Sequence, residues 1–497
     1  MGRGAKRQVS ADRLILVLDE GTSSTRAILY GVDGAVHGSC SRDLAQHYPG
    51  PGLVEHDAEE IWRETLACGR QMVATAGGPR RIAAIGITNQ RETVVAWDRG
   101  TGLPLHRAIV WQDRRTAERC EELRRQGHEA EVQRRTGLLL DPYFSGTKMG
   151  WLLGQPAVAD AGARLAFGTV ESWLTWKLTG GVHVTDATNA SRTLLMALDG
   201  RDWDEELLAL FGISAGTLPR IVGNAEPVGE TMAEWFGAPI PITALVGDQQ
   251  SAAVGQACLS PGQTKLTLGT GAFVLTNLGT RKPERPGRLL GTVLHEVAGQ
   301  RHYALEGSIF VAGSLIKWLR DDLKMLLSAG ESEALARSVA DNGGVYLLPA
   351  LSGLGAPYWR PNATAVISGL SFSSTRAHVI RAALEAISHQ NVDLAQAFGE
   401  AGAAWTELRI DGGMSVNDWL AQDLASMLRL TVRRPADVET TARGAALLAA
   451  VGAGLHPDLD LAAQAMLPGS ETFTPRTDEA ARQSRLAGWN ALLAATG

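Results

Sequence analysis

The segment from Leu14 to Tyr30 constrains the fold of this chain more than any other part of the sequence. It reads LILVLDEGTSSTRAILY: an apolar run ends at Asp19, a stretch rich in glycine and hydroxyl groups follows, and a second apolar run begins after Arg26. Two strands joined by a tight polar turn fit this pattern. Gly21 lets a ligand approach the backbone, while hydroxyls, amides and the guanidinium donate to anionic oxygens. The segment predicts a phosphate-binding hairpin, with an ordinary polar-tipped hairpin as the alternative.

Length, charge and cysteine usage set the class of protein. A chain of 497 residues predicts at least two domains. The net charge of -6 and the lack of long like-charge runs give no reason to expect a nucleic acid or an acidic membrane as partner. No stretch approaches the ~20 apolar residues of a membrane span, so no membrane insertion is expected. Residues 1–12 have no apolar segment typical of a secretory signal and predict a disordered leader.

The four cysteines are dispersed and show no metal-ligand spacing. They are Cys40, Cys68, Cys120 and Cys258. In so long a chain a disulfide framework is not expected, and free thiols in a reducing, cytoplasmic compartment are the prediction.

Several strand-like runs end in Gly, Thr, Asn or Asp. The runs end at Thr88-Asn89, Gly247-Asp248, Gly269-Thr270-Gly271 and Asp411-Gly412-Gly413. Ligands of α/β sheets bind outside the carboxyl ends of the strands, so this recurrence predicts a site at such an edge. Helices are predicted over 375–398, from 415 to about 428, and from 441 onward, where a central Gly444 indicates close packing of two backbones.

A weak internal sequence similarity relates the two halves of the chain. The segment TKLTLGTGAFVLTN at 264–277 reads strand, Gly-Thr turn, strand, as does the first hairpin. This predicts a duplicated architecture with nucleotide between the halves, and domains at 13–259 and 260–497. No GxxxxGK[ST] loop and no GxGxxG after a strand is present, so hairpin turns would have to hold phosphate, which disfavours P-loop and protein-kinase folds.

From Asp19 to Trp489 the chain resembles the FGGY carbohydrate kinases. The segments that carry the resemblance are Tyr143 to Leu152, Gly369 to Glu385, and Thr88-Asn89-Gln90-Arg91-Glu92-Thr93. The resemblance implies an α/β fold of two actin-like, ribonuclease H-like domains. Each would be a copy of one duplicated mixed sheet flanked by helices, with the active site in the cleft between them.

Within that family the third segment resembles the members that phosphorylate glycerol. The resemblance implies that Arg91 and Glu92 hydrogen-bond the hydroxyls of glycerol. A small triol offers both donors and acceptors, so a site with a donor fork and an acceptor carboxylate suits it. The two side chains would partly neutralise each other if buried, and the alternative is an exposed ion pair worth ~0–1 kcal/mol.

The resemblance also assigns the catalytic base and the other substrate contacts. Asp248 would accept the proton of the attacking primary hydroxyl during phosphoryl transfer, although a helix N-cap would suit the same position. The other substrate contacts implied are Trp111, Tyr143, Gln249 and Phe273. Each aromatic taken singly has a plain core residue as its alternative.

ATP and Mg²⁺ are the cofactors that the resemblance implies. The implied metal-binding residues are Asp19 and Asp248. The implied nucleotide-binding residues are Thr22, Ser23, Ser24, Arg26, Thr270, Gly313, Lys317, Gly413 and Asn417. Two positions depart from the family pattern. Lys317 stands where some relatives have Gln, and Glu20 replaces a frequent Gln. The charge of Glu20 either acts on Mg²⁺ or is solvated.

The expected reaction is ATP-dependent phosphorylation of glycerol to sn-glycerol 3-phosphate, by a homodimer or homotetramer. Two alternatives remain open. One is a kinase of the same family that acts on another small polyol or sugar. The other is an actin-like nucleotide-binding scaffold, against which the Arg91-Glu92 and Asp248-Gln249 pairs argue, because a scaffold needs no polyol pocket.

Overall fold

The computed structural model describes residues 13–284, 286–360, 362–437 and 439–496, so the predicted disordered leader at 1–12 lies outside the described residues. The strands are β1 Leu14–Glu20, β2 Ser24–Gly31, β3 Val36–Asp43, β4 Gln46–His47, β5 Glu55–His56, β6 Ile82–Asn89, β7 Val95–Asp98, β8 Ala108–Ile109, β9 Leu165–Gly168, β10 Val184–Asp186, β11 Arg220–Val222, β12 Gly229–Glu230, β13 Pro241–Gly247, β14 Gln263–Leu268, β15 Ala272–Gly279, β16 Leu290–Val297, β17 Gln300–Ile309, β18 Tyr346–Leu348, β19 Val366–Ser368, β20 Glu407–Asp411, β21 Val432–Pro435 and β22 Ser470–Phe473.

Helices connect these strands. They are α1 Ala58–Thr75, α2 Ala117–Arg125, α3 Glu129–Thr136, α4 Ser145–Leu153, α5 Pro156–Ala161, α6 Val170–Thr179, α7 Ala187–Ala190, α8 Glu205–Phe211, α9 Ala233–Phe236, α10 Asp248–Gly255, α11 Gly313–Asp321, α12 Glu331–Arg337, α13 Arg376–Glu400, α14 Asp418–Leu428, α15 Thr440–Gly452, α16 Leu459–Met466 and α17 Glu479–Ala495. Short 3₁₀ turns cover Pro79–Arg81, Gly162–Arg164 and Ala215–Thr217.

Two large mixed sheets share one strand arrangement. The first has the order β12-β13-β6-β1-β2-β3 and the second the order β16-β17-β15-β14-β20-β21-β22. In the first, β1 and β2 form an antiparallel hairpin, β3 extends it antiparallel, and β6 and β13 add parallel to β1. In the second, β14, β15, β17, β20 and β21 repeat these positions and directions. The predicted two-domain α/β fold with duplicated mixed sheets is therefore confirmed.

The central strand of the first sheet is buried on both faces, because helices cover both sides. All seven residues of β1 are buried. Alternate residues of a strand face opposite sides. Accordingly Leu14, Leu16 and Leu18 share a core with apolar residues of α1, whereas Ile15 and Val17 share one with residues of α15. This two-sided burial explains why the strand reads as one continuous apolar run.

Helix α15 belongs to the second half of the chain but packs on the first sheet. It contacts β1, β6 and β13 and lies against α10. A Cβ at Gly444 would lie only 1.8 Å from the backbone oxygen of Ser251, so no larger residue fits there. The predicted close approach at Gly444 is thus confirmed. The domain boundary between residues 259 and 260 stays a prediction.

Two predicted helices differ in how well their starts were placed. Helix α13 begins at Arg376, and Thr375 and His378 form a reciprocal capping box, in agreement with the predicted start. Helix α14 begins at Asp418 with Asn417 as its cap, three residues after the predicted start. The Ser415 hydroxyl instead donates to the carbonyl oxygen of Gly412 at 2.7 Å, in the turn that follows β20.

All four cysteines are free thiols, as predicted, and the Sγ atoms of Cys40 and Cys68 are 2.9 Å apart.

Across the described ranges, none of the helices combines the length and the apolar character that crossing a membrane requires.

Candidate active site

The carboxyl ends of three neighbouring strands meet at one edge of the first sheet. Asp19 of β1 lies opposite Thr88 of β6, and Asn89 of β6 lies opposite Gly247 of β13. The residues that follow these strands are therefore brought together, as the pattern of strand ends predicted. In the second sheet the parallel pair β14 and β20 ends in the same way, with Thr267 opposite Asp411.

Arg91 lies buried at this edge, and acceptor side chains surround its guanidinium. It is 3% exposed, which excludes the exposed ion pair. Its two terminal nitrogens donate to the two carboxylate oxygens of Glu306 at 2.6 and 3.1 Å. They also donate to Gln250 Oε1 at 3.2 Å and to the Tyr143 hydroxyl at 3.3 Å. Its Nε lies 3.4 Å from Asp248 Oδ1, so the predicted substrate arginine and the predicted base are neighbours.

Glu92 is buried in an unusual backbone conformation. Its φ of 63° lies in the left-handed region, which costs a non-glycine residue roughly 1–2 kcal/mol. Its carboxylate accepts from Arg192 Nε at 2.6 Å, and its carbonyl oxygen accepts from Ser145 Oγ at 3.1 Å and Lys148 Nζ at 3.4 Å. Strained residues of this kind persist where the surroundings over-determine them, and they cluster at functional sites.

Arg192 and Glu306 complete a closed group of charges that we call the charge ring: Arg91, Glu92, Arg192 and Glu306. Each member is at most 3% exposed. Arg192 Nη2 donates to Glu306 Oε1 at 3.2 Å, and Arg91 Nε lies 3.8 Å from Glu92 Oε1. Two positive and two negative charges cancel, so the ring is neutral. Burial raises the pKa of Glu306, but Arg192 and Arg91 outweigh it and lower that pKa to about 2.

Asp248 is the first residue of α10. Gly247 occupies the cap position, so the N-cap alternative for Asp248 is wrong, although its Oδ1 accepts from the Gln249 backbone N–H at 2.6 Å. Its side chain is 30% exposed to the cleft. Burial raises the pKa of Asp248 to about 6, against the opposing effect of Arg91. This carboxylate can therefore be deprotonated near neutral pH and still accept a proton readily.

Gln249 is oriented by a buried lysine. Lys265 is fully buried in β14, and its Nζ donates to Gln249 Oε1. Burial lowers the pKa of Lys265, while Asp411 and Asp248 oppose that shift. Since the amide oxygen is occupied, the NH₂ group of Gln249 is the part that can donate to a substrate oxygen.

We use the name aromatic wall for the three aromatic residues that are predicted to contact the substrate, Trp111, Tyr143 and Phe273. The rings of Trp111 and Tyr143 meet edge to face with centroids 5.7 Å apart. Trp111 Nε1 donates to Thr22 Oγ1 at 3.0 Å, which joins the wall to the first hairpin. Phe273 pairs with Ser308 on β17, and alternate residues share a face. Phe273 therefore lies on the sheet face that also carries Glu306.

The turn of the first hairpin is open to solvent. Thr22 and Ser24 are partly exposed and Ser23 is exposed. Arg26, the predicted forked cation, donates to Asp19 Oδ2 at 2.6 Å and also to Glu439 from the second half of the chain. Arg26 is thus already paired with two carboxylates, one from each half of the chain.

Asp19 and Glu20 lie on opposite faces of β1. Asp19 is 3% exposed, and burial raises its pKa against the effect of Arg26. Glu20 is fully buried and accepts from Thr25 and, at 2.6 Å, from Thr65 of α1. Burial raises the pKa of Glu20 to about 8. Of the two alternatives for Glu20, the solvated one is therefore wrong, because strand alternation turns its side chain into the core under α1.

The second hairpin meets the start of α11. The carbonyl oxygen of Thr270 accepts from the backbone N–H groups of Ala312 and Ser314 at 3.0 Å each. A Cβ at Gly313 would lie 2.5 Å from the carbonyl oxygen of Gly269, so this contact requires glycine. Lys317 lies one turn further along α11 and is exposed.

The remaining predicted nucleotide residues lie between β20 and α14. Gly413 is exposed. Asn417 uses its side chain within the fold: Oδ1 accepts from the Leu420 N–H at 2.9 Å and Nδ2 donates to Ser332 Oγ at 3.3 Å. A contact of either residue with a nucleotide stays a prediction.

Four charged residues of the site were missed by the sequence reasoning: Lys148, Arg192, Lys265 and Glu306. A charged residue inside an apolar strand pattern was the available signal for Glu306, in ALEGSIF, and for Lys265, in TKLTL. Lys148 is fully buried and donates to the Tyr143 carbonyl oxygen at 2.6 Å. Burial lowers its pKa to about 7.

The carboxylates of the cleft suit a cation that also binds phosphate. Over the residues that the structure describes, no group of three or more His, Cys, Asp or Glu side chains could hold a metal ion unaided. Mg²⁺ is commonly bound by one or two carboxylates together with substrate phosphates and water. Asp19 and Asp248 supply oxygen donors of this kind, so the donor set fits Mg²⁺.

Known proteins are similar to this chain over nearly its whole length. Curated glycerol kinases of Gluconobacter oxydans (strain 621H) and Rhodospirillum rubrum are 50% and 52% identical to the chain, each over 96% of its length and 94% and 97% of their own. The crystal structure of Plasmodium falciparum glycerol kinase with ADP superposes with a TM-score of 0.92 at 33% identity, covering 97% of this chain and 98% of that one.

The family comparison gives the assignment. Residues 14–255 match the N-terminal domain and residues 264–453 the C-terminal domain of the FGGY family of carbohydrate kinases. The chain belongs to the FGGY family of carbohydrate kinases.

Proposed function

We propose that this protein transfers the γ-phosphoryl group of ATP to a primary hydroxyl of glycerol, giving sn-glycerol 3-phosphate and ADP. The observation that carries the proposal is the buried Arg91-Glu92 pair beside Asp248, whose carboxylate lies 3.4 Å from the Arg91 guanidinium. The names of the relatives at about 50% identity over nearly the whole chain support it.

Recognition of glycerol follows from the donors and acceptors at this site. Arg91 would donate to substrate oxygens, Glu92 would accept from hydroxyl hydrogens, and the NH₂ group of Gln249 would donate to another oxygen. The aromatic wall would cover the carbon chain, which offers only apolar surface. A site with fixed polar groups rejects analogues that leave those groups unpaired.

The chemical step needs one base and an in-line acceptor. Asp248 would accept the proton of the primary hydroxyl while that oxygen forms a bond to the γ-phosphorus. The bond from the γ-phosphorus to the bridging oxygen breaks, and its electron pair leaves with ADP. Phosphoryl transfer depends mainly on positioning and charge stabilisation, so the remaining residues serve to hold the two substrates in line.

The first hairpin would bind the phosphates of ATP. Thr22, Ser23, Ser24 and Arg26 offer hydroxyls, amides and a guanidinium, the groups that bind anionic oxygens. Asp19 and Asp248 would hold Mg²⁺, which, when bound, neutralises negative charge on the phosphate oxygens.

The second half of the chain would bind the rest of the nucleotide. The residues proposed for this are Thr270, Gly313, Lys317, Gly413 and Asn417. Closure of the two halves over both substrates would exclude water and limit hydrolysis of ATP.

A substrate panel tests the proposal. The purified protein with ATP and Mg²⁺ is assayed for ADP release with glycerol, dihydroxyacetone, erythritol and pentuloses. We expect the highest kcat/KM with glycerol and negligible ADP release without a polyol. A higher kcat/KM with another substrate would replace glycerol by that substrate within the same family.

We also propose a cytoplasmic location, a homodimeric or homotetrameric assembly, and no nucleic-acid partner. The molar mass in solution, from light scattering after gel filtration, tests the assembly against the 52.8 kDa of one chain. A mass of one chain at micromolar concentration would overturn it.

A further inference from the structure

The charge ring joins the two halves of the chain through side-chain contacts. Arg91, Glu92 and Arg192 belong to the first half, whereas Glu306 comes from β17 of the second sheet. Glu306 contacts both arginines and accepts from three of their N–H donors within 3.2 Å. A single carboxylate of the second half therefore contacts both arginines that lie around Glu92.

The orientation of Arg91 depends on this carboxylate. A guanidinium has five N–H donors in a fixed plane. The fork to Glu306 uses two of them, and the contacts to Gln250 and Tyr143 use two more, so that Nε is turned to Asp248. A bidentate pair fixes direction as well as distance. The carboxylate of Glu306 thus sets where Arg91 can meet a substrate oxygen.

Arg192 orients the carboxylate of Glu92 in the same way that Glu306 orients Arg91. Its Nε holds the Glu92 carboxylate, its Nη2 contacts Glu306, and its guanidinium carbon lies 5.5 Å from the centre of the Tyr143 ring. Glu92 has a left-handed backbone conformation, and Arg192 is the closest ionic partner of its carboxylate. Removing Arg192 would leave that carboxylate without this partner. Glu306 and Arg192 therefore fix the two side chains proposed to bind the substrate, and would act on the substrate only through them.

We use the name polyol site for Arg91, Glu92, Asp248 and Gln249, the residues proposed above to hold glycerol. We propose that Glu306, acting with Arg192, is a positioning residue that sets the specificity of the polyol site and ties it to the docking of the second half on the first. This inference rests on the proposed function. Recognition of the polyol then depends on both halves, although Arg91 and Glu92 come from the first half alone.

The test is Glu306→Gln, which keeps the shape and removes the charge. We expect the KM for glycerol to rise at least tenfold and kcat/KM for glycerol to fall about 10²-fold, the loss typical of a misplaced binding group, while the KM for ATP stays within threefold. A purely structural role would lower the amount of active protein and leave both KM values unchanged.

Glu296→Gln is the matched control. Glu296 is also a buried glutamate that pairs with two arginines, Arg201 at 2.9 Å and Arg301 at 2.6 Å. Its cross-strand partner Arg301 is five residues from Glu306 on β17, about 16 Å at ~3.3 Å per residue. We expect the control to leave the KM for glycerol unchanged.

A second variant covers the case in which Glu306→Gln does not fold. The double substitution Glu306→Gln with Arg192→Met removes one charge of each sign, so the ring stays neutral. We expect this protein to fold and to show the raised KM for glycerol. If the unmodified protein is active and either variant folds but keeps an unchanged KM for glycerol, the positioning role of Glu306 is wrong. The proposed function would stand in that case. A lack of glycerol-dependent turnover in the unmodified protein overturns the proposed function together with the positioning role.

Discussion

The polyol site and the first hairpin lie at neighbouring strand ends but are built in opposite ways. At the polyol site, buried side chains contact one another, and Arg91 alone donates to three different side chains. At the hairpin, Thr22, Ser23 and Ser24 are exposed or partly exposed, and Arg26 is paired with carboxylates. The side chains of the polyol site are oriented by their contacts with one another, whereas the hairpin leaves its hydroxyl groups open to solvent.

The difference follows from the charge of the two substrates. Glycerol is neutral, so its binding depends on polar groups that are already oriented and desolvated. A triphosphate carries its own charge, and hydroxyls, backbone amides and a metal ion bind it with less preorganisation. We therefore expect substitutions in the polyol site to have large effects and substitutions around the nucleotide to have small ones.

The largest effect is expected at the base. Asp248→Asn should lower kcat about 10²–10⁴-fold with a small change in either KM, since a general base contributes to that extent. Glu205→Gln is the control, because Glu205 is likewise the first residue of a helix, α8, but is exposed. Full turnover in Asp248→Asn, measured by ADP release, would remove Asp248 from the base role.

Arg91→Ala should affect stability and binding together. Removing one partner of a buried pair costs about 3–5 kcal/mol of unfolding free energy, and the KM for glycerol should rise at least 10²-fold. Arg301→Ala removes a buried arginine from its pair with Glu296, away from the cleft. The control should lose stability in urea unfolding but keep its KM for glycerol. If the KM for glycerol rises in both variants, the rise in Arg91→Ala does not come from a lost contact with glycerol.

The pH profile should report the base. Because the pKa of Asp248 is raised above its ordinary value, to about 6, the protonated and inactive form accumulates as pH falls through that value. We expect kcat/KM for glycerol to fall about tenfold per pH unit below about 6 and to be level from 7 to 8. The measurement uses saturating Mg²⁺ and ATP, with circular dichroism to show that the fold persists. A level profile down to pH 4.5 would contradict the raised pKa.

Trp111→Phe should reveal the link between the two regions. It removes the hydrogen bond to Thr22, worth about 0.5–1.5 kcal/mol, and so should raise the KM values for glycerol and for ATP about threefold to tenfold each. Trp405→Phe is the control, since Trp405 is a buried core residue whose indole N–H has no partner in the described structure. If only one of the two KM values changes, the hydrogen bond between Trp111 and Thr22 does not couple the polyol site to the first hairpin.

The smallest effect is expected at Lys317. This exposed side chain on α11 can reach a nucleotide oxygen only through water-screened charge, so Lys317→Ala should raise the KM for ATP less than about fivefold. Arg320→Ala, one turn along the same helix and paired with Asp321, should change nothing. A larger effect at Lys317 would show that the nucleotide site is also preformed.

The fold was predictable where local sequence and tertiary structure agree. The Leu14 to Tyr30 hairpin follows from apolar runs and turn residues, and helix α13 follows from apolar residues at helical spacing, each within one stretch of chain. The sequence left the environment of Glu20 open, and the structure excludes the solvated alternative. In a strand the next residue faces the other side, and here that side is covered by α1.

The sequence by itself determined the two hairpins and the strand ends that meet at one edge of the first sheet. The roles of Asp248 as base and of Arg91 and Glu92 as substrate contacts are predictions from the family resemblance. The tertiary structure decided that Glu306 and Arg192 hold that pair, and that α15 of the second half packs on the first sheet. The physical reason is chain distance. Arg91 and Glu306 are 215 positions apart, and no local pattern of a sequence specifies which buried charge meets which across such a separation.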